Sequence, residues 1–195
     1  MAKEKKLNSI DFLVFSEAYK RTLNYFFSFP SHAIGLNDLS QAISVSKTSV
    51  KDAVLQLEQE KFLIKEEVGK AWRITLNQSH PFLVTRKIPL SLQTVYESGA
   101  IDMIRTQYPS AKAIILFGSF RNGKDIEQSD MDIAVEISGN EEPRIEQLGI
   151  LEKFANYRKK VPINLFIFSR NKVDINIFNN IANGIILDGF LEVRT

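Results

Sequence analysis

The chain has no cysteine and only two histidines, His32 and His80. The first absence excludes disulfides, thiolate catalysis and Cys–zinc sites. The second excludes a histidine-rich metal centre. Long apolar runs are missing too. No segment approaches the roughly 18 apolar residues that a membrane-spanning helix needs. Behind the basic start MAKEKK, the apolar patch Phe12 to Phe15 is too short for the core of a secretory signal. We therefore expect a cytoplasmic protein with no membrane partner. What remains is ordinary for a globular protein with a core: 195 residues, 44% hydrophobic and 25% charged. The length allows one large unit or two small ones. The net charge of +2 is unevenly placed. Residues 1–88 carry 13 Lys and Arg against 9 Asp and Glu, whereas residues 89–195 carry 12 against 14. A mildly basic front and a mildly acidic back suggest two modules with different partners.

In the front part, RTLNYFFSFP fits a helix that stops before Pro30. LNDLSQAIS fits a short helix with Asn37 as N-cap and Leu39, Ala42 and Ile43 facing inward. A tight turn then leads to SKTSVKDAVLQLEQEK, where Ser46 is a natural N-cap and Val50, Ala53, Val54 and Leu57 form one helical stripe. FLIKEEVGKAWRITLN ends in strict alternation, with Trp72, Ile74 and Leu76 on one face and Ala71, Arg73 and Thr75 on the other. With Gly69 at the turn, it reads as a β-hairpin. Helix, short helix, turn, helix and hairpin is an order that resembles the winged helix-turn-helix family, over about Ala18 to Asn77. The resemblance implies a second helix of the pair that enters the DNA major groove and a wing that touches the backbone. It points to Lys47, Thr48, Ser49 and Lys51 on the helix and to Lys65, Lys70 and Arg73 on the wing as phosphate and base-edge donors to duplex DNA. Asp52, Glu66 and Glu67 dilute the positive field. The alternative for the same architecture is a protein-interaction module.

The segment NQSHPFLVTRKIPLS, Asn77 to Ser91, carries two prolines, breaks both periodicities and reads as a connection. From Leu92 to about Thr106, Leu92, Val95, Tyr96 and Met103 fit one helix face.

The back part holds the sharpest pattern, ILFGSFRNGKDIEQSDMDIAVEI from Ile115 to Ile137. AKAIILF is a buried-strand run that ends at Gly118-Ser119. SDMDIAVEI reads as the next strand, and residues two apart on a strand point the same way. Asp130 and Asp132 therefore project to one side, and Met131 and Ile133 to the other. Two carboxylates so placed repel unless a divalent cation lies between them. Mg²⁺, or Mn²⁺, takes hard oxygen ligands, commonly one or two carboxylates completed by substrate phosphates. Backbone N–H groups at Gly118-Ser119, with the Ser119 hydroxyl, are suited to those phosphates. The residues propose metal-assisted phosphoryl or nucleotidyl transfer. Glu136 shares the parity of the pair but stands about 13 Å beyond Asp132, and we read it as solvated. Asp174 and Asp188 read as caps or surface charges, and YRKK, Tyr157 to Lys160, as a solvated helix end or a nucleic-acid contact.

FGSFRNGKDIEQSDMDIAV closely resembles the signature of the DNA polymerase β-like nucleotidyltransferase superfamily, most of all its small kanamycin-nucleotidyltransferase-type domains. The match runs from about Ala113 to Val135 and continues weakly through VPINLFIF and IANGIILDGFL. It implies an α+β protein: a winged helix in 1–88, then a nucleotidyltransferase domain in 89–195 with a mixed β-sheet flanked by helices. It also implies nucleotide binding at Gly118 and Ser119 and metal binding at Asp130 and Asp132. The chain departs from the pattern twice. The loop holds Arg121-Asn122-Gly123 where the family often has Ala-Arg-Gly, so the positive side chain is shifted by one place. The family's third carboxylate falls on Asn164 of VPINLFIF. Asparagine offers a neutral oxygen but cannot accept a proton from an attacking hydroxyl. If that strand lies beside Asp130 and Asp132, Asn164 should point at them. Three functions stay open: a nucleotidyltransferase moving a nucleoside monophosphate from a Mg-bound nucleoside triphosphate to an acceptor, a DNA-binding regulator with a degenerate nucleotide-sensing domain, and an antitoxin-type partner of a helical toxin.

Overall fold

The computed structural model describes residues 15–154 and 157–192. The MAKEKK start and Phe12, Leu13 and Val14 lie outside the described residues. The chain begins with α1 (Glu17–Ser28), α2 (Leu36–Ala42) and α3 (Lys47–Gln59), followed by the hairpin β1 (Leu63–Val68) and β2 (Ala71–Leu76). Tyr19, Phe26, Leu39, Val50, Leu57 and Ile74 meet in one buried core, so each helix contributes the stripe its periodicity marks out. Ser46 caps α3, its Oγ accepting from Ser49 N at 3.2 Å. The hairpin alternates as read, with Ile74 and Leu76 buried and Ala71 and Arg73 exposed.

Asn37 does not cap α2. Ile34 pairs with Ile74 of the hairpin through two backbone bonds of 3.0 and 2.9 Å, which fixes the chain just upstream. The helix therefore starts directly after Gly35, and Asn37 falls inside its first turn. Leu39 and Ile43 are buried but Ala42 is exposed, because a helix this short has only one i, i+4 pair to turn inward.

The joint is more ordered than its prolines suggest. A π-helical turn, Leu83–Lys87, runs straight into α4 (Ile88–Glu97), whose first turn holds Pro89. Phe82, Leu83 and Leu90 pack against the front core, so the joint is part of the packing rather than a free linker. The helix expected over Leu92 to Thr106 is two helices, α4 and α5 (Ala100–Gln107), broken at Ser98-Gly99. The break turns Tyr96 and Met103 outward, at 52% and 53% exposure.

The back part is a five-stranded sheet in the order β5-β6-β4-β3-β7. Its strands are β3 (Ala113–Phe117), β4 (Met131–Glu136), β5 (Arg144–Phe154), β6 (Arg158–Phe168) and β7 (Ile185–Gly189). β4 and β6 run parallel and the other neighbours antiparallel, so the sheet is mixed and the protein is α+β. α4, α5 and a short α6 (Gly118–Asn122) bury one face around Val95, Ile104, Phe120, Ile133 and Leu165. α7 (Ile175–Ala182) covers part of the other face around Ile115, Ala134 and Phe168. Among the described residues, no helix is long and apolar enough to cross a membrane.

Two charged groups sit differently from the sequence expectation, whereas Asp174 and Asp188 are the cap and the surface charge it proposed. Glu136 is buried at 2% exposure, because it ends a central strand flanked by β3 and β6, and Arg170 pairs with it at 3.1 Å. Arg158 to Lys160 open β6 directly after Tyr157 instead of ending a helix, and Arg158 is buried. Asp188 lies in β7 and pairs with Arg105, while Asp174 is the N-cap of α7, accepting from Asn176 N at 2.8 Å.

Candidate active site

The sheet register builds the site. Phe117 at the end of β3 faces Asp132 on β4, Asp132 faces Asn164 on β6, and Asn164 faces Gln147 on β5. Buried Met131 and Ile133 hold β4 from beneath, so the alternate Asp130 and Asp132 stand on the open side. Asp130 is exposed just before the strand, and Asp132 is half-buried inside it. Asn164 donates from Nδ2 to Asp130 Oδ2 at 3.1 Å. Burial, and then the charge of Asp130, raises the Asp132 carboxyl above its usual range, while an Asn164 donor opposes the shift. The three side chains thus form one polar group on one face of the sheet.

Gly118 closes the group from β3. Its φ of 72° is one that side chains rarely adopt, and a Cβ built there would lie 2.7 Å from Asp132 Oδ2. The backbone can press against the carboxylate only because no side chain intervenes. Ser119 follows at the start of α6, half-buried. Gly123, with φ 72°, ends α6 beneath the joint, where a Cβ would lie 2.1 Å from the Leu83 carbonyl oxygen.

Among the described residues, no group of three or more His, Asp or Glu side chains gathers as a metal-binding cluster. The donor set is two carboxylates with a neutral amide beside them. That set fits a hard divalent cation whose remaining ligands come from substrate phosphates and water, and a side chain at position 118 would crowd the Asp132 oxygen that such a cation would use.

The sequence reading missed the group that holds the loop between α6 and β4. Lys87, Asp125 and Arg158 are 2%, 1% and 3% exposed. Lys87 Nζ lies 3.0 Å from Asp125 Oδ1 and donates to the Asp125 carbonyl at 2.6 Å. Arg158 donates to Asp125 Oδ2 at 3.4 Å and to the Ser129 carbonyl at 2.5 Å. Burial lowers Lys87 and raises Asp125, each shift opposed by the partner's charge. Two cations, Lys87 and Arg158, face the one Asp125 carboxyl. Nothing in a single sequence separates these residues from surface charges: Arg158 sits inside a basic run and Asp125 inside a polar loop.

The other face proposed from sequence lies on α3 and the hairpin. Lys47, Thr48, Ser49 and Lys51 are exposed on the first turns of α3, and Lys70 and Arg73 are exposed on the hairpin. The two elements meet at Trp72, with Lys65 Nζ 4.7 Å and Lys51 Nζ 6.0 Å from its ring centre. Arg73 is paired with Glu66 at 2.9 Å, and Lys65 lies near Glu58 and Glu67. Exposed pairs of this kind contribute between about 0 and 1 kcal/mol, so a phosphate can displace the carboxylate.

Residues 100–188 match the family model described as Polymerase beta, Nucleotidyltransferase. The matched span takes in α5, the Gly118-Ser119 turn, both acids and Asn164. Among curated proteins, Terminal uridylyltransferase 7 of Homo sapiens is 35% identical over 98 residues, covering 42% of this chain and 6% of the relative. The chain therefore spans a small part of that relative's length. Residues 100–188 are thus similar to polymerase β-type nucleotidyltransferase domains. The front part lies outside the family match.

Proposed function

We propose that the protein is a nucleotidyltransferase that moves a nucleoside monophosphate from a Mg²⁺- or Mn²⁺-bound triphosphate to an acceptor hydroxyl, with pyrophosphate as the second product. The observation that carries this reading is the register that places Asp132 between Phe117 and Asn164, with Gly118 against its carboxylate. Asp130 and Asp132 are the metal ligands, and the backbone of Gly118 and Ser119 with the Ser119 hydroxyl holds the triphosphate. When bound there, the cation supplies charge neutralisation on the phosphates. The acceptor oxygen bonds to the α-phosphorus, the bond from that phosphorus to the bridging oxygen breaks, and pyrophosphate leaves. The acceptor's proton passes to solvent, because Asn164 has no basic atom to receive it. Asn164 instead orients Asp130 through its amide. The uridylyl transfer named for the human relative makes UTP one of the four triphosphates to compare.

The front part is a winged helix-turn-helix in our reading, supported by the order of its three helices and hairpin and by the Ile34–Ile74 bridge that joins the hairpin to the helices. Lys47, Thr48, Ser49, Lys51, Lys70 and Arg73 face duplex DNA in this reading, and the protein works in the cytoplasm. Calorimetry with Mg-ATP and Mg-UTP tests the site. The wild type should bind, and the double variant Asp130→Asn, Asp132→Asn should not. Equal affinity in both would end the reading. Asn164 favours a second reading, a nucleotide-sensing regulator or antitoxin-type partner that binds the triphosphate without turning it over. Triphosphate binding with no pyrophosphate release would select it.

A further inference from the structure

The eight residues from Gly123 to Asp130 connect the Gly118-Ser119 turn to the acid pair, and alternate positions along them are tied down. Gly123 abuts the Leu83 carbonyl. Asp125 is held by Lys87 and Arg158. Glu127 Oε2 lies 3.0 Å from His32 Nε2. Ser129 gives its carbonyl to Arg158. Between them Lys124, Ile126, Gln128 and Asp130 are exposed.

Three of these four ties lead to the front part or the joint. The fourth leads to β6, and that strand also carries Asn164. Asp130 is therefore gripped at two places by one strand: Asn164 holds its carboxylate, and Arg158 holds the carbonyl of the residue before it.

A buried charged triple is not needed for stability alone. Apolar side chains of similar volume commonly stabilise as well or better. What apolar side chains lack is a directed donor to a particular carbonyl. Here Lys87 and Arg158 each spend a donor on a backbone oxygen of this loop, at 2.6 and 2.5 Å. The charges thus fix where the loop runs.

We propose that Arg158 and Lys87, closed around Asp125, are positioning residues that set the geometry of the Asp130–Asp132 pair and fasten it to the front part of the chain. The proposal rests on the reading of that pair as a metal site. Lys87 leaves the end of the π-helical turn that packs on the front core, so a shift of the front part reaches the residue before Asp130 through three contacts, Lys87–Asp125, Asp125–Arg158 and Arg158–Ser129, rather than through a flexible loop.

The test uses the full chain. Arg158→Met and Lys87→Met each leave one cation facing Asp125, so neither strands an unpaired buried charge. If Arg158→Met does not fold, Arg158→Lys, which keeps the charge and shortens the reach, takes its place. The first readout is amide hydrogen exchange without metal. Both variants should speed exchange across 124–132 by about tenfold or more while the amides of α3 stay unchanged. The second readout is Mn²⁺ binding followed by electron paramagnetic resonance. Arg158→Met should weaken it about tenfold in the wild-type background and less than about twofold in the Asp130→Asn background, since a residue acting through Asp130 has nothing left to act on. Unchanged loop exchange, or equal weakening in both backgrounds, overturns the proposal. A wild type that binds no Mn²⁺ overturns it too, by removing the metal site itself. The loop exchange then tells the two failures apart, because it reads the hold on the loop without any metal.

Discussion

Replacing Asn164 by Asp separates transferase from sensor more sharply than any other single change. The Asn164 amide nitrogen lies 3.1 Å from Asp130 Oδ2. A carboxylate in its place turns a donor into a like charge at about the same distance. Asp130 is exposed, so a water-like dielectric applies, and the repulsion is about 1 kcal/mol. The lost hydrogen bond to a charged acceptor adds about 1 kcal/mol. A loss of about 2 kcal/mol in a chain of this length lowers Tm by about 4–8 °C. Mg²⁺ should return most of that loss, because it binds the folded variant more tightly than the wild type. Turnover, read as pyrophosphate release from the four triphosphates, should rise by about 10² to 10⁴ if the new carboxylate takes the acceptor's proton. Differential scanning calorimetry with and without Mg²⁺, beside the turnover assay, measures both effects. A variant whose Tm ignores Mg²⁺ would show that position 164 does not share a metal with Asp130. A wild type already turning over as fast as the variant would show that the missing base is not limiting.

Four further outcomes follow from the same geometry. Gly118→Ala should lower Tm and abolish Mg-ATP binding by calorimetry, since the new Cβ would lie 2.7 Å from Asp132 Oδ2 at a φ of 72°. Burial and the Asp130 charge raise the Asp132 carboxyl, so its contribution to metal-free stability is complete below the ordinary value of 3.8 and is lost as pH rises through the folded value. Melting curves across that window should show the loss in the wild type and not in Asp132→Asn. Ser46→Ala removes the α3 cap and should cost about 1 kcal/mol in urea unfolding. Lys47→Ala with Lys51→Ala should weaken duplex DNA binding and flatten the log–log salt slope by about one unit per lost phosphate contact, and a wild type with no DNA retardation at low salt would make the front part a protein-interaction module.

The parts of the fold that were legible in the sequence are those in which local pattern and burial agree. Val50, Ala53, Val54 and Leu57 form a stripe because α3 has one buried side, and the alternation of Trp72, Ile74 and Leu76 survives because the hairpin has one. Asp130 and Asp132 were legible for the same reason, as a period of two in a strand with one packed face. The errors fall where a distant partner decides the outcome. Asn37 lost its cap role to a backbone bridge from Ile74, 37 positions away in the chain, which no local pattern encodes. Glu136 obeys strand parity, yet it is buried because strands on both sides and Arg170 close over it. Arg158 reads as one of three basic residues in a row until the loop bearing Asp125 is laid across it. Long-range ion pairs leave no periodicity, so the residues that hold the candidate site are harder to read than the residues that form it.

The asparagine at the third position has two consequences that pull against each other. In the proposed reading it leaves no basic atom there to accept the acceptor's proton, which slows transfer. It also supplies a neutral donor to a pair of carboxylates, one of them already raised by burial and by its neighbour's charge. A third acid there would make the metal-free site three like charges around one point, and the loop that Arg158 and Lys87 hold in place would be pushed outward at Asp130. In the proposed reading, Asn164 already holds Asp130 before metal and triphosphate arrive, which reduces the rearrangement that binding needs. Slow chemistry at a preformed site suits a protein whose output depends on whether a nucleotide is bound, or an enzyme that waits for a particular acceptor. The ties from the loop to His32, Leu83 and Lys87, of which the His32 contact is exposed and the Lys87 contact buried, give the front part a hold on that same geometry. In the proposed reading, a ligand of the front part that moves this loop changes the acid pair, and by thermodynamic reciprocity occupancy of the acid pair then changes what the front part binds by the same factor.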